Sequence, residues 1–415
     1  MARIVQKFGG TSVADAERIA RCAAKAVAAK RRGDEVVVVV SAMGKTTDQL
    51  VALAEQISGG AGSRPPKREM DQLLATGEVV TSALFAMACY AQGEDAVSFT
   101  GGQINLRTDD AFTKARIRAI DTDKMLDQLA KGRIVVVAGF QGVGPAGDTT
   151  TLGRGGSNAT LVALGAVLKA DVCENFTDVD GVFTADPRVV PNARKIERIT
   201  YDEMLELSGL GAGVLQTRAV EFAKKYDVPI HVRNSATDLP GTMVVKETSD
   251  MEDILVSGAA LKRNLVRVTL ANVPDHPGMA AGIFREIAAS NIIVDDIIQN
   301  VFDDGTANIS FTVEDGDLHD IRPVVDALIR RLGNEQHTPT VRYHEDLAKI
   351  SVVGVGMRSH TGVARMMFEA LGDAKVNIQN ITTSEIKISC IVERADGARA
   401  LQVVHDAFDL GESAS

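Results

Sequence analysis

The sequence predicts an α/β protein: an open, mainly parallel sheet followed by two ferredoxin-like βαββαβ units. Three observations predict it. Glu35-Val-Val-Val-Val-Val40 is an unbroken β-branched run, as expected of a central parallel strand covered on both faces. Strand and helix patterns alternate through the first half of the chain, as an open parallel sheet requires. Past residue 260, one strand–helix–strand–strand–helix design occurs twice, about 80 residues apart, which reads as an internal duplication.

The totals agree. A chain of 415 residues exceeds one ordinary domain. Its 45% hydrophobic and 24% charged content is that of a soluble globular protein. A net charge of −10 argues against a nucleic-acid partner. Cys22, Cys89, Cys173 and Cys390 are far apart and show no C-x-x-C pairing, so neither structural zinc nor a disulfide framework is expected. The start of the chain runs straight into a strand pattern without a signal peptide, and no apolar run approaches the roughly 20 residues of a membrane span. A cytoplasmic protein with no membrane partner is expected.

In chain order, Ile4-Val-Gln-Lys-Phe8 is a short strand ending in Gly9-Gly-Thr-Ser-Val13. An amphipathic helix is expected over about 14–32, with Ile19, Ala23, Val27 and Ala28 on one face. The valine strand ends at Ser41-Ala-Met-Gly44, and a helix starts near Thr47. A helix over 70–90 follows, then strands at Ala96-Val-Ser-Phe99, Ile134-Val-Val-Val-Ala138 and Asp171-Val-Cys-Glu-Asn-Phe176.

Ligands of open α/β sheets bind beyond the carboxyl ends of the strands. Here those ends carry Lys7-Phe-Gly-Gly-Thr-Ser12, Ser41-Ala-Met-Gly44, Gly139-Phe-Gln-Gly142 and Thr177-Asp-Val-Asp-Gly181. Four ends rich in glycine, hydroxyl, lysine or carboxylate point to a phosphorylated ligand. Thr149-Thr-Thr-Leu-Gly-Arg-Gly-Gly-Ser-Asn158 reads as a flexible turn feeding an apolar helix, with helix N–H groups and Arg154 disposed toward an anion. A glycine-rich connection that binds nothing stays open on that stretch alone. Asp178, Asp180 and Arg188 could serve a magnesium nucleotide. Neither a Walker A pattern nor a protein-kinase loop set occurs.

After Pro229-Ile-His-Val-Arg-Asn234 the pattern changes, and residues 234–253 read as a linker. The first repeat has a strand at Val266-Arg-Val-Thr-Leu270, a turn at Asp275-His-Pro-Gly-Met279, a helix to about 290, strands at 291–298 and 307–313, and a helix over 317–332. The second has Lys349-Ile-Ser-Val-Val353, a turn at His360-Thr-Gly362 with its helix, strands at 376–381 and 386–392, and a helix over 395–408. Neither repeat carries a catalytic-looking cluster, so each reads as a binding module.

Lys7-Phe-Gly-Gly-Thr-Ser-Val13, Leu73-Leu-Ala-Thr-Gly-Glu78, Gly139-Phe-Gln-Gly142, Thr151-Leu-Gly-Arg-Gly-Gly-Ser157 and Thr177-Asp-Val-Asp-Gly181 together resemble the aspartate kinase family. The resemblance spans essentially the whole chain. It implies an amino-acid-kinase domain over 1–245, a linker over 246–262, and ACT domains over 263–340 and 345–415. It implies transfer of the ATP γ-phosphoryl group to the side chain of L-aspartate, the first committed step toward lysine, threonine and methionine.

By this resemblance Lys7 lies along the transferring phosphoryl group, beside the Gly9-Gly10 backbone. Arg154 and Gly155 hold the α-carboxylate of aspartate and Glu78 its ammonium, with Ser41, Thr47 and Phe140 completing the pocket. Thr177, Asp178, Asp180, Phe183 and Arg188 face ATP, whose phosphates carry Mg²⁺ without a dedicated protein metal site. An amino-acid effector, threonine or lysine, is implied at Asp275, Pro277, Gly278, Met279, Ala280 and Gln299, faced by Asn377, Ile378 and Asn380. ACT–ACT pairing implies a homo-oligomer, or an α2β2 assembly if Met251 starts a shorter second subunit.

Three positions depart from the family's pattern. Asn158 stands where an aspartate organises the catalytic lysine, Asn175 where a strand residue is apolar, and Gly213 where many members have a lysine. They leave open a catalytically attenuated, amino-acid-sensing protein. A related kinase with another carboxylate acceptor is the other alternative.

Overall fold

The computed structural model describes residues 1–411 except 61, 64, 211–213, 248–254, 291, 334–337 and 359. Gly213 and Met251 therefore lie outside the described residues. The chain falls into two compact units, Met1–Phe183 with Lys195–Met251, and Thr184–Arg194 with Glu252–Ser415. The segment Thr184–Arg194, inside the stretch 1–245 expected as the first domain, clusters with the second unit.

The first unit runs β1 (Arg3–Phe8), α1 (Ala16–Arg31), β2 (Glu35–Val40), α2 (Thr46–Ile57), α3 (Lys67–Leu74), α4 (Thr76–Ala91) and β3 (Ala96–Phe99). It continues with β4 (Arg107–Thr108), β5 (Ile117–Ala119), α5 (Asp123–Ala130), β6 (Ile134–Ala138), β7 (Gln141–Val143) and β8 (Thr149–Thr151). Then come α6 (Gly156–Leu168), β9 (Val172–Thr177), β10 (Arg198–Thr200), α7 (Tyr201–Gly209), α8 (Thr217–Tyr226), β11 (Ile230–Asn234) and β12 (Thr242–Val245). Eight strands form one sheet in the order β10-β12-β11-β9-β1-β2-β6-β3, and β9-β1-β2-β6 at its centre are parallel. Val36 to Val40 are all fully buried, as the double-faced reading of that strand requires.

Asp15 caps α1 by accepting from the Arg18 N–H, and the helix buries Ile19, Cys22, Ala23, Ala26, Val27 and Ala29. Ala28 is exposed instead, because the buried stripe passes through Ala26 and Ala29. Phe8 stacks on Phe176 with ring centroids 4.8 Å apart and lies 5.4 Å from Phe85. This aromatic knot sits in the core beside the carboxyl ends of β1 and β9. A separate four-stranded sheet, β5-β4-β7-β8, was not anticipated.

The single helix expected over 70–90 is two, broken at Ala75. Together they span Lys67–Ala91, long enough and, at a mean hydropathy of 1.5, apolar enough to cross a membrane, contrary to the expected absence of such a run. Half of the span is buried within the unit, and buried Asp71 and Glu78 interrupt it. A helix pair carrying two engaged carboxylates into a protein interior is a core element of its domain.

In the second unit β13 (Gly258–Pro274), α9 (Met279–Ala289), β14 (Asp295–Val301), β15 (Thr306–Glu314) and α10 (Leu318–Leu332) form the first repeat. The second has β16 (Thr340–Val353), α11 (Val363–Asp373), β17 (Asn380–Thr383), β18 (Lys387–Glu393) and α12 (Gly397–Ala407). All six strands share one sheet, β14-β15-β13-β16-β18-β17. The repeats exchange strands: residues 258–262, expected as linker, pair with 349–353, and residues 340–344 pair with 267–271. Each repeat thereby obtains the edge strand its own stretch lacks.

One buried charge cluster crosses this sheet. Lys349 Nζ, on a residue 1% exposed, reaches Asp295 Oδ2 at 2.6 Å and Asp296 Oδ2 at 2.9 Å. Asp296 also accepts from Thr312 of β15 and Thr382 of β17. Lys349→Ala would leave the Asp296 carboxylate buried without its cation, a loss of about 3–5 kcal/mol. Urea unfolding of the full chain should show the second unit destabilised by that order. A loss below about 1 kcal/mol would remove the structural role given to the cluster.

Candidate active site

Past the parallel strands, backbone hydrogen bonds tie the loops to one another. The Gly9 N–H donates to Phe176 O (3.2 Å), Ser41 N–H to Phe8 O (3.1 Å), Gly139 N–H to Val40 O (3.0 Å) and Leu152 N–H to Phe140 O (2.8 Å). The loops following β9, β1, β2 and β6 and the stretch leaving β8 are thus joined side by side. The Gly44 N–H donates to Gly10 O (3.0 Å), and a Cβ on Gly10 would stand 2.8 Å from Ala42 O, so only glycine allows this approach. The Gly9 N–H, expected to serve a ligand, is spent on the ladder.

Inside this frame lies a buried cation with an amide beside it on the neighbouring strand. Lys7 is 8% exposed, and burial lowers its ammonium to a pKa of about 8, with Asp178 pulling it partly back up. It makes no hydrogen bond among the described residues. In register with it on β9, Asn175 is wholly buried with both side-chain polar atoms unpaired. Asn158, in the first turn of α6, which packs on β1, keeps an unpaired Oδ1, and Ser12 after β1 an unpaired Oγ. Each such orphan costs about 1–3 kcal/mol. Buried polar groups left in this way are what a polar ligand would complete.

Glu78, in the first turn of α4, is 4% exposed. Its Oε1 accepts from the Ala42 N–H at 3.0 Å while Oε2 has no partner, and burial pushes its carboxyl up to about pKa 7 against that backbone bond. Ser41 and Thr47 are half-buried nearby in sequence. Phe140 has a left-handed backbone (φ +69°), a conformation costing a non-glycine residue about 1–2 kcal/mol. Its N–H is held by Thr160 Oγ1 (3.2 Å) and its carbonyl by Leu152, so the strain is fixed from both sides.

The stretch read as a flexible turn begins as strand β8, antiparallel to β7, and only its tip is irregular. Arg154 projects, exposed and without an ion pair among the described residues, between Gly153 (φ +78°) and Gly155 (φ +71°). A Cβ on Gly155 would fall 1.9 Å from Gln216 Cγ. Opposite, Thr177 Oγ1 donates to the exposed Asp178, while Asp180 is held by Asn234 Nδ2 at 2.7 Å and by Thr237. Phe183 pairs with Lys195. Arg188 lies on the segment that clusters with the second unit and makes a bidentate pair with Asp186 (2.9 and 2.8 Å).

In the second unit Gln299 Nε2 donates to Asp275 Oδ1 at 3.3 Å, and Gly278 (φ +92°) precedes Met279 and Ala280 at the start of α9, next to the exposed Pro277. Asn377, Ile378 and Asn380 lead into β17, the other edge strand.

Comparison with known proteins resolves the chemistry. The amino acid kinase family model matches residues 2–234, and ACT domain models match 267–333 and 350–408. Aspartate kinase of Pseudomonas putida is 49% identical over 411 residues, 99% of this chain and 98% of its own. Aspartokinase 2 of Bacillus subtilis is 49% identical over the whole of both chains. The chain belongs to the aspartate kinase family. Escherichia coli aspartokinase III in complex with aspartate and ADP has a similar structure, with a TM-score of 0.84 at 27% identity over 97% of this chain and 99% of its own. The same enzyme in complex with lysine and aspartate gives 0.74, covering 98% and 99%. As an aspartate kinase, this chain uses ATP to phosphorylate the side-chain carboxylate of aspartate, and its ACT pair is a regulatory module. An acceptor other than aspartate is thereby set aside.

Sequence reading gave no role to Asp71, Gln216, Arg218 and Asn234, and none to Ser12 beyond its place in a motif. Only Asp71 and Ser12 adjoin motifs that had drawn attention.

Proposed function

We propose that ATP lies along the Gly10 and Thr177–Asp178 loops, that aspartate lies under Arg154, and that Lys7 stands between the two anions. The observation that carries this reading is the buried Lys7 ammonium in register with Asn175, whose amide has both hydrogen-bonding atoms unmet. An oxygen of the aspartate side chain attacks the γ-phosphorus as the bond to the bridging oxygen breaks, giving ADP and 4-phospho-L-aspartate. A carboxylate needs no general base, so the site's work is to align two anions and offset their repulsion. Arg154 forks onto the α-carboxylate with Gly155 beside it. Glu78 takes the ammonium, and Ser41, Thr47 and Phe140 close the pocket. Mg²⁺, carried by the phosphates, would supply further neutralisation, with exposed Asp178 as the hard oxygen nearest in kind. The cytoplasm is the fitting compartment for a chain whose four cysteines are all buried and unpaired.

If Lys7 works as the ammonium, kcat is full below its pKa and falls as pH rises through about 8. Lys7→Ala should lose about 10²–10³ in kcat. Asn158→Asp places a carboxylate near the lysine and should move the alkaline limb up by about one unit or more. Near-wild-type turnover in Lys7→Ala, or an unmoved limb, removes the assignment. A large gain in kcat in Asn158→Asp would show that the native site is attenuated.

Glu78 must be ionised to hold an ammonium, so KM for aspartate should fall as pH rises through about 7. In Glu78→Gln, KM should be higher and level across that range. A wild-type KM that does not change with pH there speaks against the role.

Threonine or lysine is the proposed inhibitor, bound by the Asp275–Gln299 group and the Asn377, Ile378 and Asn380 segment where copies of the second unit pair. Asp275→Ala or Gln299→Ala should relieve inhibition by about 1–3 kcal/mol of coupling while preserving uninhibited turnover. Unchanged inhibition curves in both variants, or a monomer by sedimentation with and without effector, would overturn this. A single gel band from native expression would favour the homo-oligomer over an α2β2 assembly started at Met251.

A further inference from the structure

We infer that Asp71 is the positioning residue of the loop that carries Arg154, and through it sets the affinity for the acceptor. This rests on the reading of Arg154 as the aspartate clamp. Asp71, on α3, is completely buried. Its carboxylate accepts from the Thr113 N–H with both oxygens (3.0 and 2.9 Å), from the Thr151 N–H at 2.7 Å and from the Thr151 hydroxyl at 2.7 Å. No cation is among these partners. The buried charge is satisfied by dipoles of the loop itself, and charge-assisted bonds of this kind are about twice as strong as neutral ones.

The consequence falls on the next three residues. Thr151 has its N–H and hydroxyl on Asp71 and its carbonyl on the Ala115 N–H (2.9 Å). Leu152 has its N–H on Phe140 O and its carbonyl on Arg218 Nη1 (3.1 Å), and Arg218 also holds Ala115 O. The same helix grips the strand's other end, where Arg68 pairs with Asp148 at 2.7 Å. Beyond Leu152 the chain turns left-handed at Gly153 and presents Arg154, which has no partner among the described residues to orient it. A free guanidinium on a two-residue tip takes its direction from the post behind it, and Asp71 is the centre of that post.

Asp71→Asn keeps the shape but turns one acceptor into an NH₂ facing N–H donors. In the full-length enzyme it should raise KM for aspartate about ten-fold or more, with kcat and KM for ATP within about two-fold. In an Arg154→Ala background, which raises KM by itself, Asp71→Asn should add less than about two-fold, because it acts through the arginine. Should Asp71→Asn not fold, Thr151→Val removes only the hydroxyl partner and should raise KM about three-fold. A folded Asp71→Asn with unchanged KM for aspartate overturns the inference, as does a full additional effect in the Arg154→Ala background or an unchanged KM in Thr151→Val. An Arg154→Ala enzyme with normal KM fails at the earlier step, the reading of Arg154 itself.

Discussion

The active site depends on what happens to the last carbonyls of a parallel sheet. Strands β9, β1 and β2 all end in the same direction, and each final carbonyl would face an unsatisfied position. Phe176, Phe8 and Val40 resolve this by accepting from Gly9, Ser41 and Gly139, the first residues beyond neighbouring strands. The loops are therefore ordered by the sheet rather than by their own sequences. At Gly139 a Cβ would stand 2.9 Å from Val40 O, so glycine is needed there, and the stacked Phe8 and Phe176 beneath keep the strands in line. Phosphate-holding loops built this way need little reorganisation when a ligand arrives, which is the condition for electrostatic catalysis.

Within that frame the choice of amides over carboxylates around Lys7 has a cost and a gain. A carboxylate at position 158 would hold the ammonium protonated but would share its charge with a permanent counter-ion. On the proposed reading Asn158 leaves that charge to the phosphoryl group, while burial brings the lysine's pKa down to about 8. Glu78 is the mirror case, a carboxyl raised to about 7 by burial and completed only by a cation. Two buried groups of opposite kind are thus held close to their titration points.

How much of this was legible follows from how far apart the interacting residues are. The valine strand, the helices and the duplicated βαββαβ units announce themselves through local periodicity, and the motifs at the strand ends carried the resemblance to the family. The four-stranded β5-β4-β7-β8 sheet did not, because strands of two or three residues exist through their pairing and carry no period of their own. For the same reason Thr149–Thr151 read as part of a turn, and residues 258–262 as linker, since the strand that pairs with 258–262 lies at 349–353. Asp71 was hidden because its partners are 42 and 80 residues away. Arg188 read as a nucleotide ligand because its motif adjoins Asp178 and Asp180 in sequence, yet the chain crosses into the second unit at Thr184.

The strand exchange in that second unit constrains regulation. Because β13 and β16 run through both repeats, neither repeat can shift without carrying a strand of the other. Asp296 strengthens the constraint: one carboxylate is bonded from β15, β16 and β17 while sitting on β14. It lies three residues before Gln299, and its partner Thr382 lies two residues after Asn380. The two edge strands expected to meet an effector are therefore joined through a single buried charge cluster. The proposed effector edges therefore share one packed, charged connection, the kind of element that switches between discrete arrangements rather than deforming continuously.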